Sequence, residues 1–298
     1  MAKTIEDLQE SREQREAIIE QFGQVPESIM LYDRSVRAID LMADVRSYGS
    51  MKNDGGHAGK LADVFDVSGQ SCRGEGGALS RFPQNIGRTL LLLYSKPGDW
   101  VCDPFAGHNS RMELCWRAGR NYRGNDLSRE FMRANEAIRE LLLNEKKDDL
   151  FGEHFHAEIE LSEGDSRKLP WPDRCGDFTI TSPPYWDLED YGNEVGQLGK
   201  TESYRWFLRD LEAVAKENCR VLKRGAFCVW CVNDFRKDGR FYSFHMDTAV
   251  LLREAGFRQW DIAITDLGPA IRAAFAQQVI ETKILPKRHE YCLVFRKP

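Results

Sequence analysis

The segment Thr181-Ser182-Pro183-Pro184-Tyr185-Trp186 combines residue types that could hold a planar amine. Its two consecutive prolines stiffen the chain and lack a backbone N–H, so the neighbouring carbonyls have no local donor. Ser182 adds a hydroxyl group, and Tyr185 and Trp186 add flat aromatic surface. Such a turn offers acceptors for the N–H groups of an amine and a face for its ring. The same residues are equally compatible with a proline-rich turn whose aromatic rings only pack.

A second segment, Asp103-Pro104-Phe105-Ala106-Gly107, follows a short apolar run and precedes a helical pattern. Gly107 allows the backbone to approach a ligand closely. Asp126 lies 23 positions after Asp103, close to the spacing of about 20 residues at which an acidic group binds ribose hydroxyls in nucleotide sites. No Lys-Ser or Lys-Thr follows the glycine, so this is not a P-loop. A plain strand–turn–helix remains an alternative.

The elements that must position these segments alternate along the chain. Helices are predicted at 84–95, at 110–118 with Asn109 as N-cap and Gly119 as stop, from Ser128 onward, at 202–220 and at 244–255, and strands at 100–102, 122–125, 178–181, 226–232, 260–265 and 291–295. This alternation indicates βαβ units and a mostly parallel sheet. Ligands bind at the carboxyl ends of such strands, so both segments are expected at one crevice. Residues 4–22 are predicted to form an amphipathic helix, and residues 45–80 long irregular connections.

Composition excludes several classes of protein. The 298 residues carry a net charge of −5, and the mean hydropathy is −0.52. No apolar run approaches the roughly 18 residues of a membrane span, and the acidic N-terminus is not a signal peptide. Binding of nucleic acid through bulk positive charge is excluded, but a local basic face is not. The eight cysteines form no disulfide framework, which favours the cytoplasm, and the lone pair Cys228 and Cys231 is expected in the core of a strand rather than on a metal.

Taken together, the two segments resemble the S-adenosylmethionine-dependent amino-methyltransferases of DNA, which methylate cytosine N4 or adenine N6. The resemblance covers about residues 82–298 and implies an α/β, Rossmann-like methyltransferase fold with a mostly parallel sheet of about seven strands and helices on both faces. One departure is that Gly107 is followed by His108-Asn109-Ser110 rather than by a second glycine and hydroxyl residues. The resemblance implies S-adenosylmethionine as cofactor, bound by Phe82, Pro83, Asp103, Pro104, Phe105, Ala106, Gly107, Asp126 (ribose) and Asp165 (near the adenine).

The same resemblance implies double-stranded DNA as the partner and a flipped base as the acceptor. The catalytic residues are then Ser182, Pro183, Pro184 and Tyr185: Ser182 and the Pro183 carbonyl accept the hydrogens of the amine, and Tyr185 stacks on the base. Transfer is direct and in line, and no Pro-Cys pair is present for attack on a ring carbon. Contacts to the substrate are expected from Trp186, Arg236, Lys237, Lys287 and Arg288.

Serine at position 182, where adenine enzymes usually have aspartate, favours cytosine N4. Adenine N6, RNA and a catalytically inactive DNA-binding homologue are alternatives, and the absence of Asn at this position argues against a protein glutamine amide. We expect a methyltransferase domain at 81–298, preceded at 1–80 by a helical and loop region for DNA recognition or packing. A homodimer stays open, and no metal site is expected.

Overall fold

A computed structural model describes residues 16–17, 29–31, 82, 84–107, 111–144, 157–188, 191–267 and 279–298. The helices are α1 (Gln84–Tyr94), α2 (Met112–Arg117), α3 (Arg129–Asn144), α4 (Tyr204–Val221) and α5 (Phe244–Glu254). The strands are β1 (Ile29–Leu31), β2 (Trp100–Asp103), β3 (Asn121–Asp126), β4 (Ile159–Glu163), β5 (Gly176–Thr181), β6 (Leu222–Val232), β7 (Phe235–Lys237), β8 (Arg240–Tyr242), β9 (Arg258–Asp266) and β10 (His289–Arg296).

One large sheet has the strand order β1-β9-β10-β6-β5-β2-β3-β4. Among its described strands only β10 is antiparallel to its neighbours, β6 and β9. Strands β2 to β6, β9 and β10 therefore form the Rossmann-like, mostly parallel seven-stranded sheet that was expected, and the three-residue β1 adds an eighth strand beside β9. Strands β7 and β8 form a separate hairpin.

Helices cover both faces of the sheet. Side chains alternate between the two faces along each strand, so the apolar central strands present apolar side chains on both. On β6, Cys228 and Trp230 pack with residues of α4 and α5 such as Phe207 and Leu252. Cys231 faces the opposite cluster, which includes residues of α1, α2 and α3. The expectation that Cys228 and Cys231 are core residues on opposite faces is confirmed.

The start of α2 differs from the prediction. The helix begins at Met112, with Arg111 in the N-cap position, whereas the sequence pattern placed the helix at 110–118 with Asn109 as cap. The Arg111 guanidinium donates to Asp103 and to the Phe105 carbonyl, and these tertiary contacts keep residue 111 outside the helix. Gly119 ends this segment with a φ of 72°, as predicted.

The cap of α3 is also as predicted, since the Phe131 N–H donates to Ser128 Oγ at 3.5 Å. Three features were not predicted from the sequence: the three-residue β1, the five-residue edge strand β4 with its three polar residues, and the β7–β8 hairpin. Residues 4–15, 18–22 and 45–80 lie outside the described part of the chain. None of the described helices is long and apolar enough to cross a membrane.

Candidate active site

Asp103 ends β2, and its fully buried carboxylate joins the strands that frame the site. Arg111 Nε donates to Oδ2 at 2.5 Å, and the Tyr122 hydroxyl of β3 donates to the same oxygen at 2.9 Å. Thr181 Oγ1 of β5 and the Phe105 N–H donate to Oδ1 at 2.6 and 3.2 Å. Four internal donors thus occupy this carboxylate. Any contribution of Asp103 to cofactor binding would therefore run through the loop that it fixes.

The loop at 103–107, here called the β2 loop, has its backbone held from several sides. Its residue Ala106 donates its N–H to the Asn125 carbonyl at 3.0 Å, and Gly107 takes a φ of 53°, a conformation that favours glycine. Side chains donate to four of its carbonyls: Ser166 Oγ to Pro104, Arg111 Nη2 to Phe105 and Ala106, and Asn135 Nδ2 to Gly107. The loop is therefore fixed before any ligand binds.

Phe82 supports the same loop from beneath. Its ring is buried and lies 5.2 Å from the Arg111 guanidinium carbon, a cation–π arrangement. Gly87 of α1 makes room for this ring, because a Cβ there would come within 2.5 Å of it. Phe82 thus contacts Arg111, whose guanidinium fixes the β2 loop, while cofactor binding by Phe82 stays a prediction. Pro83 and residues 108–110 lie outside the described residues.

Asp126 lies at the carboxyl end of β3, next to the β2 loop. The Gly107 N–H donates to its Oδ2 and the Ser128 N–H to its Oδ1, each at 2.9 Å. Burial raises the pKa of this carboxyl to about 6, although both hydrogen bonds act in the opposite direction. Each carboxylate oxygen can accept a second hydrogen bond, and Asp126 keeps part of its surface accessible. These properties suit a carboxylate that binds a diol.

Asp165 follows β4 and is engaged by a neighbouring guanidinium. Partial burial acts to raise its pKa, but hydrogen bonds from Arg167 outweigh it and the pKa is lowered. Arg167 Nη2 donates to Asp165 Oδ2 at 2.7 Å, while Nη1 donates to Asp210 at 2.6 Å. Asp165 therefore remains an ionised acceptor at this edge of the sheet, but its orientation is set by Arg167.

The Ser182–Tyr185 turn follows β5 directly, beside the β2 loop. Pro183 is buried, whereas Ser182, Pro184 and Tyr185 are partly exposed. The Tyr185 hydroxyl donates to Glu290 Oε1 at 3.2 Å, and the Tyr185 N–H donates to the Tyr191 hydroxyl at 3.4 Å. The hydrogen bond between Thr181 and Asp103 ties the end of β5 to the end of β2. The structure therefore brings both sequence segments to one edge of the sheet.

Glu290, at this edge, was not singled out from the sequence, whereas Lys287 was expected to contact the substrate. Burial raises the pKa of Glu290 to about 7, although Tyr185, Lys287 and Arg111 lower it. Burial also lowers the pKa of the Lys287 ammonium, which donates to the Asp234 carbonyl. Glu290 lies at the start of β10, and because this strand is antiparallel, its start meets the carboxyl ends of the others.

This chain is similar to known proteins over part of its length. A family model described as DNA methylase matches residues 42–137, which include the β2 loop and Asp126. The Type II methyltransferase M.SmaI of Serratia marcescens is 43% identical over 47 residues, which span 16% of this chain and 16% of that enzyme.

Two solved structures are also similar. One is a protein of Thermus thermophilus, described as a putative DNA modification methylase, in complex with S-adenosyl-L-methionine. It is 30% identical to this chain, the match covers 45% of this chain and 51% of that chain, and the TM-score is 0.34. The other is an S-adenosylmethionine-dependent methyltransferase of Methanosarcina mazei, with 14% identity, coverage of 74% and 99%, and a TM-score of 0.47.

These matches support the resemblance of this chain to the DNA amino-methyltransferases. The family match supports S-adenosylmethionine as the cofactor, and binding of that cofactor by the β2 loop stays a prediction. Asp126, beside that loop, retains acceptor capacity and partial exposure, and its binding to ribose stays a prediction.

Trp186, expected to contact the substrate, lies in an aromatic cluster of the protein. Its side chain is 9% exposed and packs against Tyr204 and Tyr242 with ring centroids 5.6 and 5.8 Å apart. Its Nε1 donates to the Thr201 carbonyl at 3.4 Å. Most of the Trp186 surface is therefore already used in packing the loop that carries it.

The basic residues expected to contact DNA differ in how the protein uses them. Lys237 forms an ion pair with Asp187, the acidic residue that directly follows Trp186. Arg288 forms a two-pronged pair with Asp266 at 2.7 and 2.6 Å. The Arg236 guanidinium carbon lies 5.1 Å from the Phe241 ring centroid. Phosphate contacts by these side chains stay predictions.

Proposed function

We propose that this chain transfers a methyl group from S-adenosylmethionine to the exocyclic N4 of a flipped cytosine in double-stranded DNA, by direct in-line displacement. The observation that carries the proposal is the hydrogen bond from Thr181 Oγ1 to Asp103 Oδ1, 2.6 Å long. It places the Ser182–Tyr185 turn beside the β2 loop, so that a base held by the turn and a cofactor held by the loop would meet. The family match supports DNA as the substrate.

The residues at the β2 loop fit S-adenosylmethionine. Asp126 offers a partly exposed carboxylate for two ribose hydroxyls, and the conformation of Gly107 leaves nothing within 4 Å of where its Cβ would stand. When bound, the cofactor supplies an electrophilic methyl group on a sulfonium. Because Asp103 and Arg111 fix its backbone, the β2 loop would hold the cofactor without rearranging.

The turn after β5 addresses the weakness of the nucleophile. The lone pair of an aromatic amine is delocalised into the ring, so the amine attacks poorly. Hydrogen bonds from the amine to Ser182 Oγ and to the Pro183 carbonyl would localise that lone pair, and stacking on Tyr185 would hold the ring. Positioning and fixed dipoles of this kind account for much of the acceleration that enzymes give such transfers.

The choice between cytosine N4 and adenine N6 rests on Ser182. A neutral serine at this position favours cytosine in our proposal, and adenine N6 is the alternative for the same fold and mechanism. We also propose that residues 81–298 form the methyltransferase domain and that residues 1–80 contribute to packing or DNA recognition.

The test is nucleoside mass spectrometry of DNA from a methylation-free bacterial host that expresses this chain. A matched strain carries the double variant Ser182→Ala, Tyr185→Ala. N4-methylcytosine that is present in the parent strain and absent from the variant strain would support the proposal. N6-methyladenine would show that the acceptor is adenine rather than cytosine, with the same transfer mechanism. If no modified base appears although calorimetry shows S-adenosylmethionine binding, DNA is not the substrate under these conditions, and RNA is the next substrate to assay.

A further inference from the structure

Glu290 contacts the proposed base-stacking residue from a distant part of the chain. Its Oε1 accepts a hydrogen bond of 3.2 Å from the Tyr185 hydroxyl, across 105 positions in sequence. In the sheet, Glu290 is paired with Thr265 of β9, one position beyond the pairing of Tyr291 with the last residue of β6. Glu290 therefore stands at the edge of the sheet where the Ser182–Tyr185 turn lies.

Tyr185 needs such an anchor because it lies in a turn with no regular secondary structure. Besides Glu290, Tyr185 is contacted by Tyr191, whose hydroxyl accepts from its N–H, by the Leu188 N–H, which donates to its carbonyl at 3.1 Å, and by the ring of Phe244, with centroids 6.0 Å apart. The Ser182 side chain also forms a hydrogen bond with the Tyr185 hydroxyl. The backbone contacts hold the main chain of Tyr185, whereas the hydrogen bond to Glu290 acts at the far end of its ring.

We propose that Glu290 is a positioning residue that holds the Tyr185 ring in the orientation required to stack on the flipped base. This inference rests on the proposed function and adds a residue to that site. A hydrogen bond to an ionised acceptor is roughly twice as strong as one between neutral groups, so the anchor is strongest when Glu290 is a carboxylate.

The surroundings of Glu290 determine when it is ionised. Burial raises its pKa to about 7, while the hydrogen bond from Tyr185 and the charges of Lys287 and Arg111 act to lower it. Its charge also reaches the Cys231 thiol of β6. Burial raises the pKa of the Tyr185 hydroxyl, the charges of Glu290 and Tyr191 raise it further, and a hydrogen bond with Ser182 acts to lower it. Asp234 faces Lys287 and favours its protonated form. The carboxylate form is therefore gained as pH rises through about 7.

The first experiment is a double-mutant cycle on the full chain, measured as transfer of tritiated methyl groups to unmethylated bacterial DNA. At pH 8, Glu290→Ala and Tyr185→Phe should each lower kcat/KM by about tenfold or more, as expected for a hydrogen bond to a charged group. If Glu290 acts through the Tyr185 hydroxyl, the double variant should be no worse than the poorer single variant. Glu290→Gln, which keeps an acceptor oxygen, should stay within about threefold of the parent.

Two controls separate positioning from a loss of structure. The Glu254→Ala variant changes an exposed glutamate at the end of α5 and should leave all constants unchanged. Each Glu290 variant should bind S-adenosylmethionine as the parent does, measured by calorimetry. Multiplicative losses in the double variant, or a Glu290→Gln variant as poor as Glu290→Ala, would overturn the proposal and point to an independent role of the charge.

A second readout does not depend on activity. With ¹³Cζ-tyrosine labelling, the Tyr185 signal among the nine tyrosines is assigned by its loss in Tyr185→Phe. It should shift with a midpoint near pH 7 in the parent and lose that transition in Glu290→Gln. An unchanged transition in the variant would refute the anchor even if no methylated base is ever found, whereas a lost transition without activity would refute only the proposed function.

Discussion

Replacement of Arg111 by methionine removes the guanidinium that fixes the β2 loop. The side chains of Arg111 and Asp103 are 4% and 0% exposed, and their ion pair measures 2.5 Å. Removal of one partner from a buried pair costs about 3–5 kcal/mol, because the other charge stays buried. Asp103 would keep Tyr122, Thr181 and the Phe105 N–H as donors, so we expect about 3 kcal/mol.

The loss is measured by thermal unfolding, followed by circular dichroism. For a chain of this length, 1 kcal/mol corresponds to a change in Tm of about 2 °C, so the expected decrease is about 6 °C. The matched control is Arg129→Met, in which the ion pair with Glu163 has side chains 63% and 42% exposed. Exposed pairs contribute about 0–1 kcal/mol, so this variant should unfold close to the parent.

A second substitution tests the cause. Asp103→Asn in the Arg111→Met background removes the stranded charge and should recover part of the lost stability, since the two sites share one interaction. An Arg111→Met variant within about 1 kcal/mol of the parent would refute this account. Strict additivity of the two changes would also refute it.

Three further predictions concern the proposed binding surfaces. The Asp126 pKa is about 6, so affinity for S-adenosylmethionine should fall about tenfold between pH 7.5 and pH 5 as this carboxylate is protonated. The Asp126→Asn variant should lose this pH dependence. A flat pH profile of affinity in the parent, measured by calorimetry, would exclude Asp126 as the ribose ligand. Because Trp186 packs within the protein, Trp186→Phe should lower the free energy of unfolding by about 1–2 kcal/mol and leave kcat within about twofold of the parent value. A larger loss of kcat with an unchanged Tm would show that the Trp186 ring contacts the base. If Arg236 contacts a phosphate, Arg236→Ala should make the plot of the logarithm of the DNA association constant against the logarithm of the salt concentration less steep, by about one unit of slope. An unchanged slope would place Arg236 outside the DNA interface.

The fold was predictable because its signals are local. Helical periodicity in α1, α3, α4 and α5 and short apolar runs at the central strands needed no tertiary information. The β7–β8 hairpin also had a local signal, Asp238-Gly239, which takes positive φ values of 48° and 76° at the turn. The edge strand β4 had a local signal as well, because apolar and polar residues alternate over 157–163, the pattern of a half-buried strand.

The candidate site was predictable only in part. Sequence by itself located the β2 loop, Asp126 and the Ser182–Tyr185 turn, because each follows a strand and the carboxyl ends of parallel strands share one edge. Whether a polar side chain at that edge faces a ligand or the protein depends on its partners. Asp103 carries the same carboxylate as Asp126, yet four internal donors occupy it.

The tertiary structure alone decided the roles of the remaining groups. It put Glu290 against Tyr185, enclosed Trp186 among aromatic rings and paired Lys237 with Asp187. These partners come from segments that are distant in sequence and are joined by the order of strands in the sheet, in which β10 lies beside β6 and β6 beside β5. Periodicity and spacing along the chain contain no information about such pairings, because the contacts and burial that determine them exist only once the sheet has formed.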